Sequence, residues 1–268
     1  MYANSYDAIG KVFGPERSGR VRGLGIGISP SRKFGPDVCL KLKKKLLILD
    51  INGVLADIVY DPEPDSRVPV KPDFSRVPDK IIGNNQVFMR NHCREFLEFC
   101  FEKFVVAIWS SRENNVKDLV RLLCGDMREK LLFIWDRSKC TESELPTPYQ
   151  PNKKIVFKDL KKVWDDHQFK NFNAKNTLLV DDSPYKALLN PPHTSVFPQK
   201  FQFWQRSDNS LGEDGQLRMF LHGLANVVDV QAYVRTCQFG QSNINEDSEY
   251  WTYYKEAADG VICQVSNV

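Results

Sequence analysis

The residues most suited to chemistry in this chain are acidic side chains that follow short apolar runs. Asp50 comes directly after Leu46–Leu49, and Asp181 and Asp182 come directly after Thr177–Val180. An apolar run that ends in a carboxylate predicts a buried parallel strand, which delivers its acid to the sheet edge where ligands bind. The sequence therefore predicts a group of carboxylates at one edge of a sheet.

A serine and a lysine stand at similar positions. Ser110 follows the apolar run Phe104–Trp109, and Lys158 follows the short run Ile155–Phe157. With Asp50 they form the set needed for phosphoryl transfer through an aspartyl-phosphate, in which the hydroxyl and the ammonium group hold phosphate oxygens and carboxylates bind Mg²⁺. Each residue alone has a common structural explanation as a cap, a turn or a surface charge. The prediction rests on all the segments occurring in order.

The elements that must position these residues alternate along the chain. Amphipathic patterns predict a helix over Val87–Phe104 and a second one that contains Val116 and Leu123, and Leu131–Trp135 predicts a further strand. Residues 136–153 are polar with three prolines and predict an inserted hairpin or loop, while prolines between 60 and 80 exclude a long helix there. We expect an α/β fold, a three-layer Rossmann-like sandwich with a central parallel sheet.

Composition limits the class of protein. The chain has 268 residues, a net charge of +3 that is too small to argue for direct nucleic-acid binding, and seven cysteines without metal-ligand spacing. No apolar stretch reaches the ~20 residues of a transmembrane helix, and no secretory signal opens the chain. We expect a main domain over 41–236 and a C-terminal extension over 237–268 that forms a docked helix. Oligomeric state is not indicated.

The first forty residues lack hydrophobic periodicity, so we expect 1–40 to be a mostly disordered leader. The stretch 19–30 resembles a segment found in plant transposon-encoded proteins, and the shortage of acids leaves an organellar transit peptide as an alternative. The basic cluster Lys41–Lys45 is either a nuclear import signal or a solvated approach to the first strand.

Four motifs carry a family resemblance. LLILDINGVL, VVAIWSSR, VFKDL and LLVDDSPYKALLNP, in order over about residues 43–236, resemble the haloacid dehalogenase superfamily and its FCP/SCP-type branch of RNA polymerase II C-terminal-domain phosphatases. The motifs are most similar to the ubiquitin-like-domain-containing phosphatases of that branch, although the leader is too short and unpatterned for a ubiquitin-like domain. The resemblance implies a haloacid-dehalogenase-like sheet, with 136–153 as a small substrate-shaping insert.

The resemblance also implies roles for the residues that handle phosphate. Asp50 would be the nucleophile, and Lys158 would neutralise the phosphoryl-enzyme. Ser110 would bind phosphate, with Ser111 as an alternative one residue further on.

The same resemblance implies Mg²⁺ as the cofactor. Asp50, the backbone carbonyl of Asn52 and Asp182 would bind the ion, and Asp181 would either share it or orient Lys158.

The chain departs from the family pattern at Asn52. Phosphatases of this family carry an aspartate there, which protonates the leaving alkoxide and then activates water. An amide can do neither near neutral pH, although its backbone carbonyl can still bind a metal. Since general acid–base groups are worth ~10²–10⁴ in rate, we expect a weakened phosphatase.

Two functions remain open from the sequence. The first is an Mg²⁺-dependent phosphatase of reduced activity that acts on phosphoserine or phosphothreonine proteins, with the RNA polymerase II C-terminal domain as one candidate. The second is an inactive phosphopeptide-binding or scaffold protein, including a role like that of the receptor subunit of the mitochondrial inner-membrane translocase. The expected compartment is nuclear or cytoplasmic, with the mitochondrion as the alternative.

Overall fold

The computed structural model describes residues 44–60 and 76–266. The expected leader and most of the proline-rich segment between 60 and 80 lie outside these residues. The strands are β1 (Leu46–Leu49), β2 (Ala56–Tyr60), β3 (Lys80–Ile82), β4 (Asn85–Met89), β5 (Val105–Trp109), β6 (Ile134–Trp135), β7 (Thr141–Thr147), β8 (Gln150–Phe157), β9 (Thr177–Val180) and β10 (Ser195–Val196). The α-helices are α1 (Cys93–Lys103), α2 (Val116–Cys124), α3 (Lys161–Trp164), α4 (Gln216–Ala225), α5 (Val230–Thr236) and α6 (Trp251–Ser266).

Five strands form a parallel sheet in the order β10-β9-β1-β5-β6. The central strand β1 pairs on one side with β5, where Leu49 lies opposite Ile108, and on the other with β9, where Leu49 lies opposite Val180. The three strands that precede Asp50, Ser110 and the acidic pair are therefore neighbours. Their carboxyl ends lie side by side at one edge.

Both faces of the sheet are covered. Successive side chains of a strand point to opposite faces. Leu47 and Leu49 join a core that includes residues of α1, α2 and α4, while Leu46 and Ile48 join a second core that includes Val163 of α3. All four residues of β1 have no exposed surface, as expected for a parallel strand between two layers. The three-layer α/β fold is confirmed.

The expected helix over Val87–Phe104 is wrong at its start. Residues Asn85–Met89 form β4, the middle strand of an antiparallel sheet in the order β2-β4-β3, and α1 begins only at Cys93. Buried Val87 lies opposite Ile58, so the strand is specified by a partner almost thirty residues away. A local hydrophobic pattern cannot reveal such a pairing.

The expected insert is a hairpin. Strands β7 and β8 pair antiparallel, with Thr141 opposite Phe157, so the hairpin ends four residues later than the predicted boundary at 153. The C-terminal helix α6 packs on it: Ile155 and Phe157 share a buried apolar cluster with Tyr254 and Val261. Within the described residues, no helix is long and apolar enough to cross a lipid bilayer.

One lysine of the basic cluster has a structural role. Lys45 is 4% exposed, and its Nζ donates to the carbonyl of Ala225 at 3.2 Å. Burial lowers the pKa of Lys45. The positions before Lys44 in this cluster lie outside the described residues.

Candidate active site

Three of the expected site residues lie at the carboxyl edge of the parallel sheet. Asp50 follows β1, and its backbone N–H donates to the carbonyl of Val180 at 2.9 Å, which extends the ladder to β9 by one bond. Ser110 follows β5 and Asp181 follows β9. All three side chains are essentially buried. The rigid ladder thus fixes where the Asp50 carboxylate enters the site.

Lys158 reaches the same edge from the root of the inserted hairpin. It follows β8 directly, and its backbone N–H donates to the carbonyl of Lys186 at 2.8 Å. Its ammonium group has no exposed surface and lies 3.0 Å from Asp50 Oδ1 and 2.5 Å from Asp181 Oδ2. The hairpin therefore delivers a cation between two carboxylates that the parallel sheet positions.

A second lysine joins the cluster, and the sequence analysis missed it. Lys186 Nζ lies 2.8 Å from Asp181 Oδ1, 3.4 Å from Asp50 Oδ2 and 3.6 Å from Asp182 Oδ1. Burial lowers the pKa of Lys186, but the three carboxylates outweigh it and hold the pKa well above its usual value. A signal was present: Lys186 stands four residues after Asp182, and the short 3₁₀ turn Pro184–Ala187 folds it back onto the strand end.

Asp181 and Asp182 differ in how many hydrogen bonds their carboxylate oxygens accept from the protein. Asp181 accepts hydrogen bonds from Lys158 on Oδ2, and from Lys186 and the backbone N–H of Ser183 on Oδ1. Although burial raises it, the two lysines hold the pKa of Asp181 well below its usual value. Asp182 accepts the Ser183 hydroxyl at 2.8 Å, and burial raises its pKa, with Lys186 opposing and Asp181 adding to the shift. Asp182 therefore has more oxygen lone pairs that are available to a metal ion.

Asn52 stands in the turn after β1. Its side-chain Oδ1 accepts the backbone N–H of Ile58 at 2.9 Å, and it forms an isolated bridge with Ala56. The next residue, Gly53, has φ +83°, and a Cβ there would lie 2.3 Å from Asp182 Oδ2. The turn thus requires glycine for its backbone angle and also for the space that the second carboxylate occupies.

The acidic cluster has the composition of a divalent-metal site. One oxygen each of Asp50, Asp181 and Asp182 lies within 4.8 Å of the others. An all-oxygen donor set suits a hard cation such as Mg²⁺. Asp50 Oδ1 is buried and receives no hydrogen bond of good geometry among the described residues, despite the nearby lysine, so it keeps a lone pair free. The residues present therefore fit a divalent ion.

A polar cavity of about 780 Å³ opens near the carboxyl end of β5. Ser111 and Arg112 line it on one side, and Arg137 and Lys153 belong to its cationic lining. Buried Ser110 accepts the backbone N–H of Arg112 at 3.2 Å, whereas Ser111 is half-buried at the cavity wall. Both serines thus remain candidates for the phosphate contact.

Arg112 has an unused hydrogen-bond donor beside this cavity. Its Nη2 donates to the side chain of Asn85 at 2.8 Å, while its buried Nε has no hydrogen-bond partner among the described residues. Burial lowers the pKa of Arg112, and the negative charge of Asp50 opposes this shift. A guanidinium group with unused donors beside a cavity is suited to a phosphate or carboxylate.

A parallel α/β sheet with buried carboxylates and lysines at its carboxyl edge defines a phosphatase-like protein. Residues 45–231 match the model of the NLI interacting factor-like phosphatases, and the chain belongs to this family. The resemblance inferred from the sequence motifs is thereby confirmed.

Similar proteins include the Drosophila melanogaster ubiquitin-like domain-containing CTD phosphatase 1, which is 26% identical over 152 residues. That match covers 55% of this chain but 39% of the relative, so the chain spans well under two thirds of the relative's length.

Two solved structures are also similar. The fission yeast RNA polymerase II CTD phosphatase Fcp1 bound to beryllium fluoride matches with a TM-score of 0.40 and 13% identity, over 85% of this chain and 65% of that chain. A second structure, of Fcp1 as an essential RNA polymerase II CTD phosphatase, matches with a TM-score of 0.38 and 12% identity, over 83% and 63%.

Proposed function

We propose that this protein is an Mg²⁺-dependent phosphoserine/phosphothreonine phosphatase whose activity is reduced by Asn52. The observation that carries the proposal is the buried carboxylate of Asp50, which lies 3.0 Å from Lys158 and keeps Oδ1 free of any well-formed hydrogen bond among the described residues. A buried carboxylate with a free lone pair and an adjacent cation is the arrangement that a nucleophile toward phosphorus needs.

In this proposal Asp50 Oδ1 attacks phosphorus, a new O–P bond forms, and the bond to the serine or threonine oxygen breaks. Lys158 holds the phosphate oxygens together with Ser110 or Ser111. Asp50, Asp182 and the backbone carbonyl of Asn52 would hold Mg²⁺, which when bound supplies positive charge to the transferring group.

Asp181 has the positioning role in this scheme. Both of its oxygens already accept from lysine ammonium groups, and Oδ1 also accepts the backbone N–H of Ser183, so a shared metal would have to bind Oδ2 directly beside the Lys158 ammonium group, whose charge repels it. We therefore favour the alternative in which Asp181 orients Lys158.

Asn52 limits the reaction at two steps. The alkoxide that leaves in the first step needs a proton, and the water that cleaves the aspartyl-phosphate in the second step must lose one. An amide neither donates nor accepts a proton near neutral pH, so both transfers fall to solvent. Aryl phosphates, whose leaving groups need little protonation, should therefore suffer less than phosphoserine peptides.

The substrate we propose is a phosphorylated protein segment. Arg112, Arg137 and Lys153 line the cavity beside the site together with one carboxylate, Glu113, which pairs with Arg137 at 3.3 Å, and the net positive charge of this lining favours an anionic peptide. The fly relative is named a CTD phosphatase, which supports a C-terminal domain such as that of RNA polymerase II as one candidate, and we propose the nucleus as the compartment.

The proposal is tested by measuring phosphate release and by trapping the phosphoenzyme. Purified protein with Mg²⁺ should release phosphate from an aryl phosphate, and acid quenching should trap a hydroxylamine-sensitive phosphoenzyme. Asp50→Asn should lose both signals, because the amide is not a nucleophile. The control is Asp126→Asn, the same chemical change at an exposed residue outside the cavity, which should keep both signals. Turnover that survives Asp50→Asn would refute the assignment of the nucleophile.

A second candidate is a phosphopeptide-binding protein without catalysis. Asn52 favours it, because the acid–base residue is missing while Lys158 and the cationic cavity are kept. Inert wild-type protein that binds a phosphoserine peptide more tightly than its unphosphorylated form, and that Asn52→Asp does not activate, would establish this alternative.

A further inference from the structure

The ammonium group of Lys186 occupies an unusual position, because it contacts all three carboxylates of the acidic cluster. Its Nζ lies 2.8 Å from Asp181, 3.4 Å from Asp50 and 3.6 Å from Asp182. By comparison, Lys158 contacts two of the three. Within the described parts of the chain, the only other lysine near the cluster is Lys200, whose Nζ lies 3.9 Å from Asp182 Oδ2.

Asp50 and Asp182 are the carboxylates that would hold a divalent ion in the proposed function, and one oxygen of each lies within 4.8 Å of an oxygen of Asp181. An ammonium group and a hard cation use the same oxygen lone pairs, and two cations in one buried cluster repel strongly. The Lys186 ammonium group and the divalent ion therefore cannot both bind these oxygens with their full affinity.

We propose that Lys186 is a tethered competitor of the divalent cation. The ion enters the carboxylate cluster only as the Lys186 ammonium group leaves it, so the exchange sets the affinity of the site for Mg²⁺. This inference rests on the metal site of the proposed function, but it does not need the protein to turn over a substrate.

The balance of charge supports an exchange. Three carboxylates with both lysines carry a formal charge of −1, and adding a divalent ion without displacement gives +1. The same ion with Lys186 withdrawn gives zero. In a buried cluster the neutral state is the one with the smallest uncompensated charge.

The two lysines also differ in their freedom to move. Lys158 has no exposed surface and lies between two carboxylates at the root of a hairpin. Lys186 is carried by the short turn Pro184–Ala187, and its side chain, although buried, keeps 7% of its surface exposed and has a flexible four-carbon stem. Of the two lysines, we therefore expect Lys186 to be the one whose ammonium group leaves the cluster.

Metal binding tests the proposal without substrate. Mn²⁺ affinity is measured by electron paramagnetic resonance, and Mg²⁺ affinity by calorimetry, on wild type, Lys186→Met and Lys200→Met. Lys200→Met is the matched control, because it removes the same charge from a lysine that is also close to Asp182 but 36% exposed.

We expect Lys186→Met to bind Mn²⁺ on the order of ten- to a hundredfold more tightly than wild type, and Lys200→Met to differ by less than about threefold. Equal effects of the two substitutions, weaker binding by Lys186→Met, or no binding by any of the proteins would overturn the proposal.

A wild-type measurement keeps the test valid if Lys186→Met does not fold. Amine acetylation followed by peptide mass spectrometry should show that saturating Mg²⁺ increases the labelling of Lys186 and leaves that of Lys158 unchanged. Unchanged Lys186 labelling at saturation would also overturn the exchange. Failure to trap a phosphoenzyme would refute the proposed function instead, and would leave these binding results intact.

Discussion

Asn52→Asp is expected to supply the missing acid–base group with little change in fold. Asn52 Oδ1 accepts the backbone N–H of Ile58 at 2.9 Å, and a carboxylate oxygen of the same shape can accept it equally well. The second carboxylate oxygen would replace Nδ2, which makes no hydrogen bond among the described residues. The turn around Gly53 should therefore keep its geometry.

The size of the effect follows from two contributions. A general acid–base group is worth ~10²–10⁴ in rate. The new carboxyl would also stand two residues after Asp50, which belongs with Asp181 and Asp182 to one acidic cluster. At an effective dielectric constant of about 20, two carboxylates ~6 Å apart repel by ~3 kcal/mol, and any such repulsion from Asp50 that bound Mg²⁺ leaves uncompensated would raise the pKa of the new carboxyl and help it to hold the proton it must donate. We expect an increase of ~10²-fold or more with a phosphoserine peptide.

Rapid-quench kinetics with excess Mg²⁺ measures this increase at the first chemical step. The rate of phosphoenzyme formation should rise by ~10²-fold or more with a phosphoserine peptide and by less than ~10-fold with an aryl phosphate. The control is Asn152→Asp, which adds the same charge to the cavity lining away from the turn. Equal increases on both substrates, or an equal increase from the control, would refute the assignment of position 52.

Three further outcomes are expected. Lys158→Met removes a fully buried cation from its carboxylate partners and should lower the free energy of unfolding by ~3–5 kcal/mol in urea titrations; an unchanged midpoint would contradict the ion-pair cluster. Gly53→Ala adds a Cβ at φ +83° and 2.3 Å from Asp182 Oδ2, so it should cost ~1–3 kcal/mol in stability and weaken Mn²⁺ binding; wild-type affinity would argue against Asp182 as a ligand. Burial raises the pKa of Cys124 to about 12, so iodoacetamide at mildly alkaline pH should modify exposed Cys263 and spare Cys124 until guanidinium is added, as peptide mapping would measure; equal labelling of the native protein would contradict the packing of α2.

The central sheet was predictable because its strands are specified locally. Leu46–Leu49 and Thr177–Val180 are continuous apolar runs that end in carboxylates, and they pair directly in the structure. The antiparallel strand Asn85–Met89 was not predictable in this way. Its apolar residues also fit a helical period, and the deciding interaction is its pairing with Ala56–Tyr60.

The residues of the candidate site also separate into those that the sequence pattern could identify and those that it could not. Asp50, Asp181 and Lys158 could be found because each follows an apolar run, and the structure brings them within ion-pair distance. Lys186 could not be found by that rule, because it stands inside a turn and reaches the cluster through the fold of that turn. Arg112 was likewise hidden, since its significance depends on a cavity that several separate segments enclose.

The packing of the C-terminal helix α6 determines where the chain can be truncated without disturbing the site. Both site lysines come directly after an aromatic residue that packs with this helix: Phe157 shares its apolar cluster, and Tyr185 stacks on Tyr254 with ring centroids 4.8 Å apart. The family match ends at residue 231, twenty residues before α6 begins. A fragment trimmed to that match would expose both aromatic anchors and loosen both lysines, so expression fragments intended for assays should extend through Val261.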